Sequence, residues 1–139
     1  MENGLALMSI NNYEEIYELW CNIPGLCISC ADSKDAIAKY LERNQDMSFV
    51  FYIGTKIVGT ILCGNDGRRG YIHHACVHPE YQGKGIGKKL VEASLGELKK
   101  QGIAKCHLFV LCDNIQGIDF WDRIGWEKRN DIYTYSKDI

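Results

Sequence analysis

Three glycines alternate with other residues at positions 83, 85 and 87, between a run of β-forming residues and a run with helical periodicity. Glycine permits backbone angles that other residues avoid, and it removes side chains that would block a ligand. The helix that follows presents unpaired N–H groups and the positive end of its dipole. The segment Gln82-Gly83-Lys84-Gly85-Ile86-Gly87 therefore predicts a strand-to-helix turn that binds a phosphate or pyrophosphate, and Lys84 and Lys88 add positive charge.

Two other phosphate-binding loops fail on particular residues. A P-loop requires glycine at position 82 and Ser or Thr after Gly87-Lys88, but the sequence has Gln82 and Lys89 there. A dinucleotide-binding GxGxxG turn requires glycine at position 88 or 90, where the sequence has Lys88 and Leu90. The remaining alternative is a plain helix start with flexible glycines.

The rest of the chain alternates between strand and helix patterns. Strands are predicted at 4–9, 49–53, 56–63, 71–77 and 106–110, and a last hairpin pairs 126–129 with 132–136. Helices are predicted from Asn11 or Asn12, from Asp32-Ser33, and over 88–101 and 115–123. The order β-α-α-β-β-β-α-β-α-β-β predicts an α/β fold of the α+β kind, with a mixed sheet that carries helices on its faces.

Size and composition exclude several classes of protein. The 139 residues suit a single domain over 1–139. The net charge of −2 gives no sign of a nucleic-acid partner or of an anionic membrane. No apolar run is long enough to span a bilayer, and the first residues lack the pattern of a signal peptide, so we expect a cytoplasmic protein.

The seven cysteines do not have the pattern of a metal site or of a disulfide framework. Their number is odd, and Cys27 and Cys30 form one CxxC pair without a second pair or a nearby histidine. We expect no metal and free thiols, several of them buried as small apolar side chains.

The glycine segment and its surroundings resemble the acetyl-CoA loop of the GCN5-related N-acetyltransferase (GNAT) family, and within it a subgroup of small bacterial acetyltransferases. The family pattern is Gln or Arg, two residues, Gly, one residue, and Gly or Ala, after a Val-x-Pro strand end. Gln82, Gly85 and Gly87 match this pattern after Val77-His78-Pro79. The segment 120–126 (FWDRIGW) is similar to the family's Phe-Tyr-x-x-x-Gly-Phe segment. The element order also agrees, so the resemblance covers nearly the whole chain.

The resemblance implies an acetyl-CoA-dependent N-acetyltransferase that acts on a primary amine of a small molecule or peptide, without a metal. It implies a bulge in strand 71–77 that splays this strand from strand 106–110 and exposes backbone groups to the pantetheine arm of the cofactor. The cofactor-binding residues that it implies are Ala75, Cys76, Val77, Gln82, Gly83, Lys84, Gly85, Ile86, Gly87, Lys88, Asn114 and Trp121. Dimers are common in the family, so the resemblance also allows a homodimer.

The catalytic groups of the family are not matched. The family often uses a glutamate as base and the tyrosine of its Phe-Tyr segment as acid, but strand 71–77 has no carboxylate and Trp121 occupies the tyrosine position. An indole N–H has no useful acidity. His73 or His74 could serve as the base. Because adjacent strand residues point to opposite faces, we expect at most one of them to face the cleft.

Two tyrosines could replace the missing acid. Tyr133 and Tyr135 lie two residues apart on the last predicted strand and therefore share one face. Water could also protonate the departing thiolate. A non-catalytic CoA-binding module is the alternative function, because the expected acid and carboxylate are missing.

Charged side chains that could recognise an acceptor occur in two places. Glu14, Glu15 and Glu18 could attract a cationic amine, although an acidic helix surface is often only solvated. The turn 64–70 contains Asp66 and two arginines that could bind a carboxylate.

Overall fold

A computed structural model gives the fold, and it describes residues 4–139. The chain divides into two compact units, Met1–Phe109 and Val110–Ile139. Within the described residues the helices and strands are β1 (Gly4–Leu7), α1 (Tyr13–Cys21), α2 (Lys34–Arg43), β2 (Phe49–Ile53), β3 (Lys56–Asn65), β4 (Gly70–Val77), α3 (Ile86–Lys100), β5 (Cys106–Leu108) and α4 (Ile115–Arg123). Short 3₁₀ turns precede α1, α2 and the glycine loop, at Ile10–Asn12, Cys30–Asp32 and Pro79–Tyr81.

The strands form one mixed sheet in the order β1-β2-β3-β4-β5. The first four strands are antiparallel to their neighbours, and β5 lies parallel to β4. The α/β class and the mixed sheet predicted from the sequence are therefore confirmed. The predicted bounds of β2 and α4 agree with the structure, and β3 extends two residues further, to Asn65.

The two faces of the sheet carry different helices. One face is covered by α1 and α2, whose apolar side chains form a buried cluster with residues of the sheet. The cluster includes Ile16, Leu19 and Trp20 of α1 and Ile37 of α2. On the other face, α3 packs closely on β3, because a Cβ atom at Gly59 would lie 3.0 Å from Leu90 and 3.3 Å from Ile86. Burial of both faces explains why β3 consists almost entirely of apolar residues.

The helix starts follow from local hydrogen bonds. The Ser33 hydroxyl accepts a hydrogen bond from the N–H of Ala36 and so caps α2, at the start that the sequence predicted. The helix α3 begins at Ile86 rather than at the predicted Lys88, after Gly85 in the left-handed conformation.

The predicted last hairpin is wrong. Within the described residues, no strand follows Gly125, and the segments 126–129 and 132–136 do not pair. The side chains of Tyr133 and Tyr135 are 90% and 92% exposed. Strand propensity depends on burial against a neighbouring element, and an isolated two-stranded hairpin is marginal in water.

Two further properties concern the described part of the chain. None of its helices combines the length and the apolar character that a membrane span requires. Its His, Cys, Asp and Glu side chains form no group of three that could hold a metal ion.

Candidate active site

The glycine loop joins β4 to α3 and has the backbone that the sequence predicted. Gly83 and Gly85 have φ angles of 79° and 80°, a left-handed conformation that strongly favours glycine. Gly85 is the N-cap of α3 and provides no side chain to its amides. The first α-helical bond runs from the N–H of Lys89 to the carbonyl of Gly85, over 3.2 Å. The N–H groups of residues 86–88 are therefore the ones that an α-helix leaves without an internal partner.

The surroundings of the loop suit an anion. A Cβ atom added at Gly83 or Gly85 would meet no atom within 4 Å, so protein packing does not explain the glycines. The ammonium groups of Lys84 and Lys56 each lie 5.7 Å from the ring centre of Tyr81, beside the loop. Positive charge and the amino end of α3 thus combine at a bare backbone.

Gln82 connects this loop to the end of β4. Its side-chain amide donates a hydrogen bond of 3.0 Å to the carbonyl of Val77. The contact gives Gln82, which the sequence singled out, a defined role in the position of the loop.

β4 and β5 separate as the resemblance implied. β5 pairs with β4 only along Gly70–Ile72, so within the described residues the remainder of β4 has no strand on that side. The N–H of His78 donates to the carbonyl of Val58, and Cys76 lies opposite Thr60. Because backbone groups alternate along an antiparallel ladder, those of Cys76 face β3 and those of Val77 face the open side.

The implied bulge lies at His74. Thr60 pairs with Cys76 and Leu62 with His73, so β4 has one residue more than β3 between these pairs. His74 has φ of 46°, which is unusual for a residue other than glycine. Such a conformation costs roughly 1–3 kcal/mol and occurs often at functional sites.

A chain of hydrogen bonds holds the backbone of His74. The hydroxyl of Thr60 donates to the carbonyl of His74 over 2.9 Å. The indole N–H of Trp20 donates in turn to the Thr60 hydroxyl over 2.9 Å. Trp20 and Thr60 are both fully buried, so the bulge rests on a fixed part of the core.

The ring of His74 is held by Asp32. His74 Nε2 lies 2.8 Å from Asp32 Oδ1, and the two side chains are only 15% and 8% exposed. The other carboxylate oxygen accepts the N–H of Ser29 over 2.9 Å, and the Tyr13 hydroxyl donates to the Asp32 carbonyl over 2.6 Å. The indole ring of Trp20 packs against the imidazole at 4.7 Å between centroids.

Sequence reasoning did not identify Asp32 as a site residue. The segment Ser29 to Asp32 forms a capping box, and that local role was its only signal in the sequence. Asp32 and His74 are 42 positions apart, so only the fold brings them together.

His73 has a different environment. The residue is exposed, and the centroid of its ring lies 6.2 Å from that of the Tyr40 ring in an edge-to-face arrangement. Desolvation lowers the pKa of His73, the neighbouring His74 lowers it further, and Asp32 opposes the shift. Both histidine rings contact residues of the α1–α2 side, because the bulge interrupts the alternation of the strand. The alternation behind the expectation that at most one of them faces the cleft therefore does not hold at the bulge, and that expectation stays a prediction.

The thiol of Cys76 stays in its neutral form. Its Sγ lies 3.3 Å from Thr60 Oγ1, and burial raises the pKa of this thiol to about 11. A thiol that remains protonated near neutral pH is a poor nucleophile.

The charged residues considered for an acceptor are mostly engaged within the protein. Glu14 forms an ion pair of 3.1 Å with Lys34, and a carboxylate oxygen of Glu15 accepts the N–H of Ile57. One oxygen of Asp66 accepts the N–H groups of residues 68 and 69, which accounts for its place in the turn.

The unit Val110–Ile139 contains the other predicted site residues. Asn114 caps α4, since its side-chain oxygen accepts the N–H of Gly117 over 3.0 Å. The ring of Trp121 lies 5.0 Å from that of Phe120 and 4.9 Å from that of Trp126. Tyr133 and Tyr135 lie outside any strand, so the geometric reason for placing them on one face is lost.

Comparison with known proteins finds similar acetyltransferases. An acetyltransferase of Sodalis glossinidius is 29% identical over 129 residues, which cover 91% of this chain and 89% of that protein. An acetyltransferase of Photorhabdus laumondii is 32% identical over 124 residues, or 86% of this chain and 83% of the relative.

Three solved structures share the fold. The PaiA N-acetyltransferase of Thermoplasma acidophilum in complex with coenzyme A has a TM-score of 0.78 at 22% identity, over 90% of this chain and 89% of that one. A ribosomal-protein-alanine N-acetyltransferase of Brucella melitensis has a TM-score of 0.74 at 17% identity, over 99% and 100%. An aminoglycoside acetyltransferase from an uncultured soil sample, in complex with sisomicin, has a TM-score of 0.73 at 18% identity, over 99% of this chain and 96% of that one.

A family model completes the comparison. The model of the acetyltransferase (GNAT) family matches residues 13–126, which include the glycine loop, the bulge and α4. The chain belongs to the GNAT family and is an acetyltransferase.

Proposed function

We propose that this enzyme takes the acetyl group from acetyl-CoA and transfers it to a primary amine of a small molecule or peptide. The observation that carries the proposal is the bare, left-handed glycine loop at the start of α3, next to the open edge of β4. The amides of Ile86, Gly87 and Lys88 and the charge of Lys84 suit a pyrophosphate. The open backbone of Val77 suits the amide groups of a pantetheine arm.

The comparisons support both halves of the proposal. One structural neighbour was solved in complex with coenzyme A, which supports that donor. A second neighbour is named as an aminoglycoside acetyltransferase, which supports a small-molecule amine as acceptor. A third is named as a ribosomal-protein-alanine N-acetyltransferase, which supports a peptide amine. Acetyl-CoA supplies an activated thioester, and the protein has to place an amine beside it.

The site residues have separate roles in this proposal. The phosphates are bound by the loop residues Gln82, Gly83, Lys84, Gly85, Ile86, Gly87 and Lys88. Ala75, Cys76 and Val77 form the strand beside the cofactor, and Val77 offers it free backbone groups. By resemblance, Asn114 lies near the pantetheine arm and Trp121 packs against the cofactor. His73 or His74 accepts a proton from the amine, and Tyr133, Tyr135 or water returns one to the thiolate.

Two measurements test the proposal. Calorimetric titration with CoA, ATP and NAD should give tight binding for CoA alone, and preference for either nucleotide would contradict the assignment of the loop. Thiol release from acetyl-CoA should then be followed with aminoglycosides, polyamines and peptides that begin with alanine. CoA binding without amine-dependent thiol release across this panel would favour a different acceptor class.

Three predictions of the sequence remain part of the proposal. Residues 1–139 form one domain, the protein is cytoplasmic, and the family resemblance allows a homodimer. Light scattering on the purified chain tests the homodimer, and proteolysis near residue 110 tests the single domain.

A further inference from the structure

We infer that His74, rather than His73, is the general base of acetyl transfer, and that Asp32 is the positioning residue that holds its ring. The inference rests on the proposed function and adds to it the group that activates the amine. It stands on the buried contact of 2.8 Å between His74 Nε2 and Asp32 Oδ1.

The contact determines which nitrogen of the ring is free. A carboxylate only accepts hydrogen bonds, so in the neutral ring Nε2 carries the proton and Nδ1 keeps its lone pair. No residue from 4 to 139 bonds to Nδ1. The hydroxyl of Tyr40 is the one side-chain polar atom in this range that is both buried and unpartnered, so Nδ1 remains accessible to solvent.

Several interactions fix the geometry of this one ring. Trp20 packs on it and, through the Thr60 hydroxyl, also holds the carbonyl of the same residue. Asp32 is fixed in turn by the N–H of Ser29. A base that is oriented by a buried carboxylate follows the logic of nucleophile and base pairs in many enzymes.

His73 lacks this support. It is exposed, its ring makes only an edge contact with Tyr40, and none of the hydrogen bonds within residues 4–139 involves its side chain. Preorganisation of the reacting group is what separates a catalytic histidine from a surface one.

The position of His74 relative to the cofactor loop is also suitable. It lies three residues before Val77, or about 10 Å along the strand. Val77 is the residue to which the side chain of Gln82 in the glycine loop is hydrogen-bonded. The bulge directs its ring to the α1–α2 side, while Val77 presents backbone groups at the open edge.

The reaction step balances in protons and electrons. Nδ1 takes one proton from the substrate ammonium, and the amine nitrogen then attacks the thioester carbonyl carbon. An N–C bond forms, the C–S bond breaks, and the electron pair leaves with the CoA thiolate. The new amide nitrogen releases its second proton to water, and the thiolate takes one from Tyr133, Tyr135 or water. The imidazolium of His74 later returns its proton to water.

Other titratable groups surround His74. Asp32 faces it from the turn before α2, and His73 and Cys76 are neighbours on β4. Tyr13 of α1 reaches the backbone of Asp32. Asp32 is the only carboxylate hydrogen-bonded to the ring within residues 4–139.

The first experiment compares His74→Asn with His73→Asn, in an amine-dependent thiol-release assay at saturating acetyl-CoA. Asn is chosen because it tolerates the left-handed backbone at position 74. We expect kcat to fall about 10²- to 10⁴-fold for His74→Asn, with the Kd for CoA unchanged. His107→Asn, another half-buried histidine, is the matched control and should keep the wild-type rate.

The second experiment tests Asp32 with a readout that a merely structural role would not change. Because Asp32 positions the ring without touching the substrate, Asp32→Asn should lower kcat about tenfold or more while KM for acetyl-CoA stays unchanged. Asp32→Glu keeps the carboxylate and should recover part of the lost kcat. Asp35→Asn removes an exposed carboxylate from the helix that follows, α2, and should leave kcat and KM unchanged.

The outcomes separate the two levels of the hypothesis. If the wild-type protein transfers acetyl to no amine, the proposed function fails before the variants matter. If it does transfer acetyl, an unchanged rate in His74→Asn, or a loss in His73→Asn instead, overturns the inference. Should His74→Asn no longer bind CoA, a wild-type kcat in Asp32→Asn would overturn it equally.

Discussion

The side-chain amide of Gln82 donates to the carbonyl of Val77 over 3.0 Å, and this bond links the glycine loop to the splayed strand. The two parts of the proposed cofactor site are thereby coupled, because Val77 ends β4 and Gln82 begins the loop. Gln82 is exposed and Val77 half-buried, so the bond is accessible to a ligand on the same edge.

Replacement of Gln82 should weaken the binding of acetyl-CoA without abolishing turnover. Gln82→Ala removes one hydrogen bond with a net contribution of about 1 kcal/mol, which corresponds to roughly a fivefold change in affinity. We expect KM for acetyl-CoA to rise by about this factor while kcat stays within twofold. Gln101→Ala, an exposed glutamine at the other end of α3, is the control, and an equal effect there would contradict the role of Gln82.

The glycine at position 85 should not tolerate a charged side chain. Gly85→Glu adds bulk and negative charge at the start of α3, and we expect the Kd for CoA to rise at least about tenfold, or 1.4 kcal/mol. Gly102→Glu is a matched control, because Gly102 has φ of 79° and equally open surroundings near the other end of the helix. Calorimetry on both variants should show a loss of affinity only for Gly85→Glu.

Much of the fold could be predicted because local patterns coincide with burial. The β-rich run at 49–53 became β2, and the segment 115–123 became α4, since each is bounded by its own turn or cap. The glycine loop was also predictable, because φ values near 80° leave glycine as the favoured residue at 83 and 85.

The parts that failed depend on contacts distant in sequence. Tyr133 and Tyr135 lie in a segment with strand propensity, but burial decides whether such a segment forms a strand, and both side chains are exposed. Asp32 was recognised only as a helix-start residue, because nothing within a few positions indicates its contact with His74. The bulge at His74 changes the side of the sheet to which this histidine points. The strict alternation of side chains along a regular strand does not predict such a change.

The hydrogen bond between Trp20 and Thr60 should contribute measurably to stability. Trp20→Phe removes the indole N–H from a site with no solvent access and should lower the free energy of unfolding by about 2 kcal/mol. Thr60→Val removes the other partner with little change of shape. Urea unfolding of both single variants and the double variant should give a coupling energy of about 1 kcal/mol. Additive effects would show that the bond contributes nothing of its own.

The cysteines should divide into two groups by reactivity. Cys21, Cys27, Cys30 and Cys112 are exposed, whereas the thiols at 63, 76 and 106 are shielded. Because the thiolate is the reactive form, a disulfide reagent at pH 8 should modify the four exposed residues rapidly and the other three only after denaturation. Rapid loss of all seven thiols in the native protein would contradict this division.

Stability should decline in alkaline solution because of the same buried thiols. Burial raises the pKa of Cys63 to about 12, and the pKa values of Cys76 and Cys106 to about 11, from 9.0. Above pH 9 the unfolded chain releases these protons and the native protein retains them, so the free energy of unfolding falls between pH 9 and 11. Cys63→Ser removes one such group, and its slope with pH in this window should be shallower than that of the wild type. Cys27→Ser, which alters an exposed thiol, should keep the wild-type slope, and an equal slope in both variants would contradict the effect of burial.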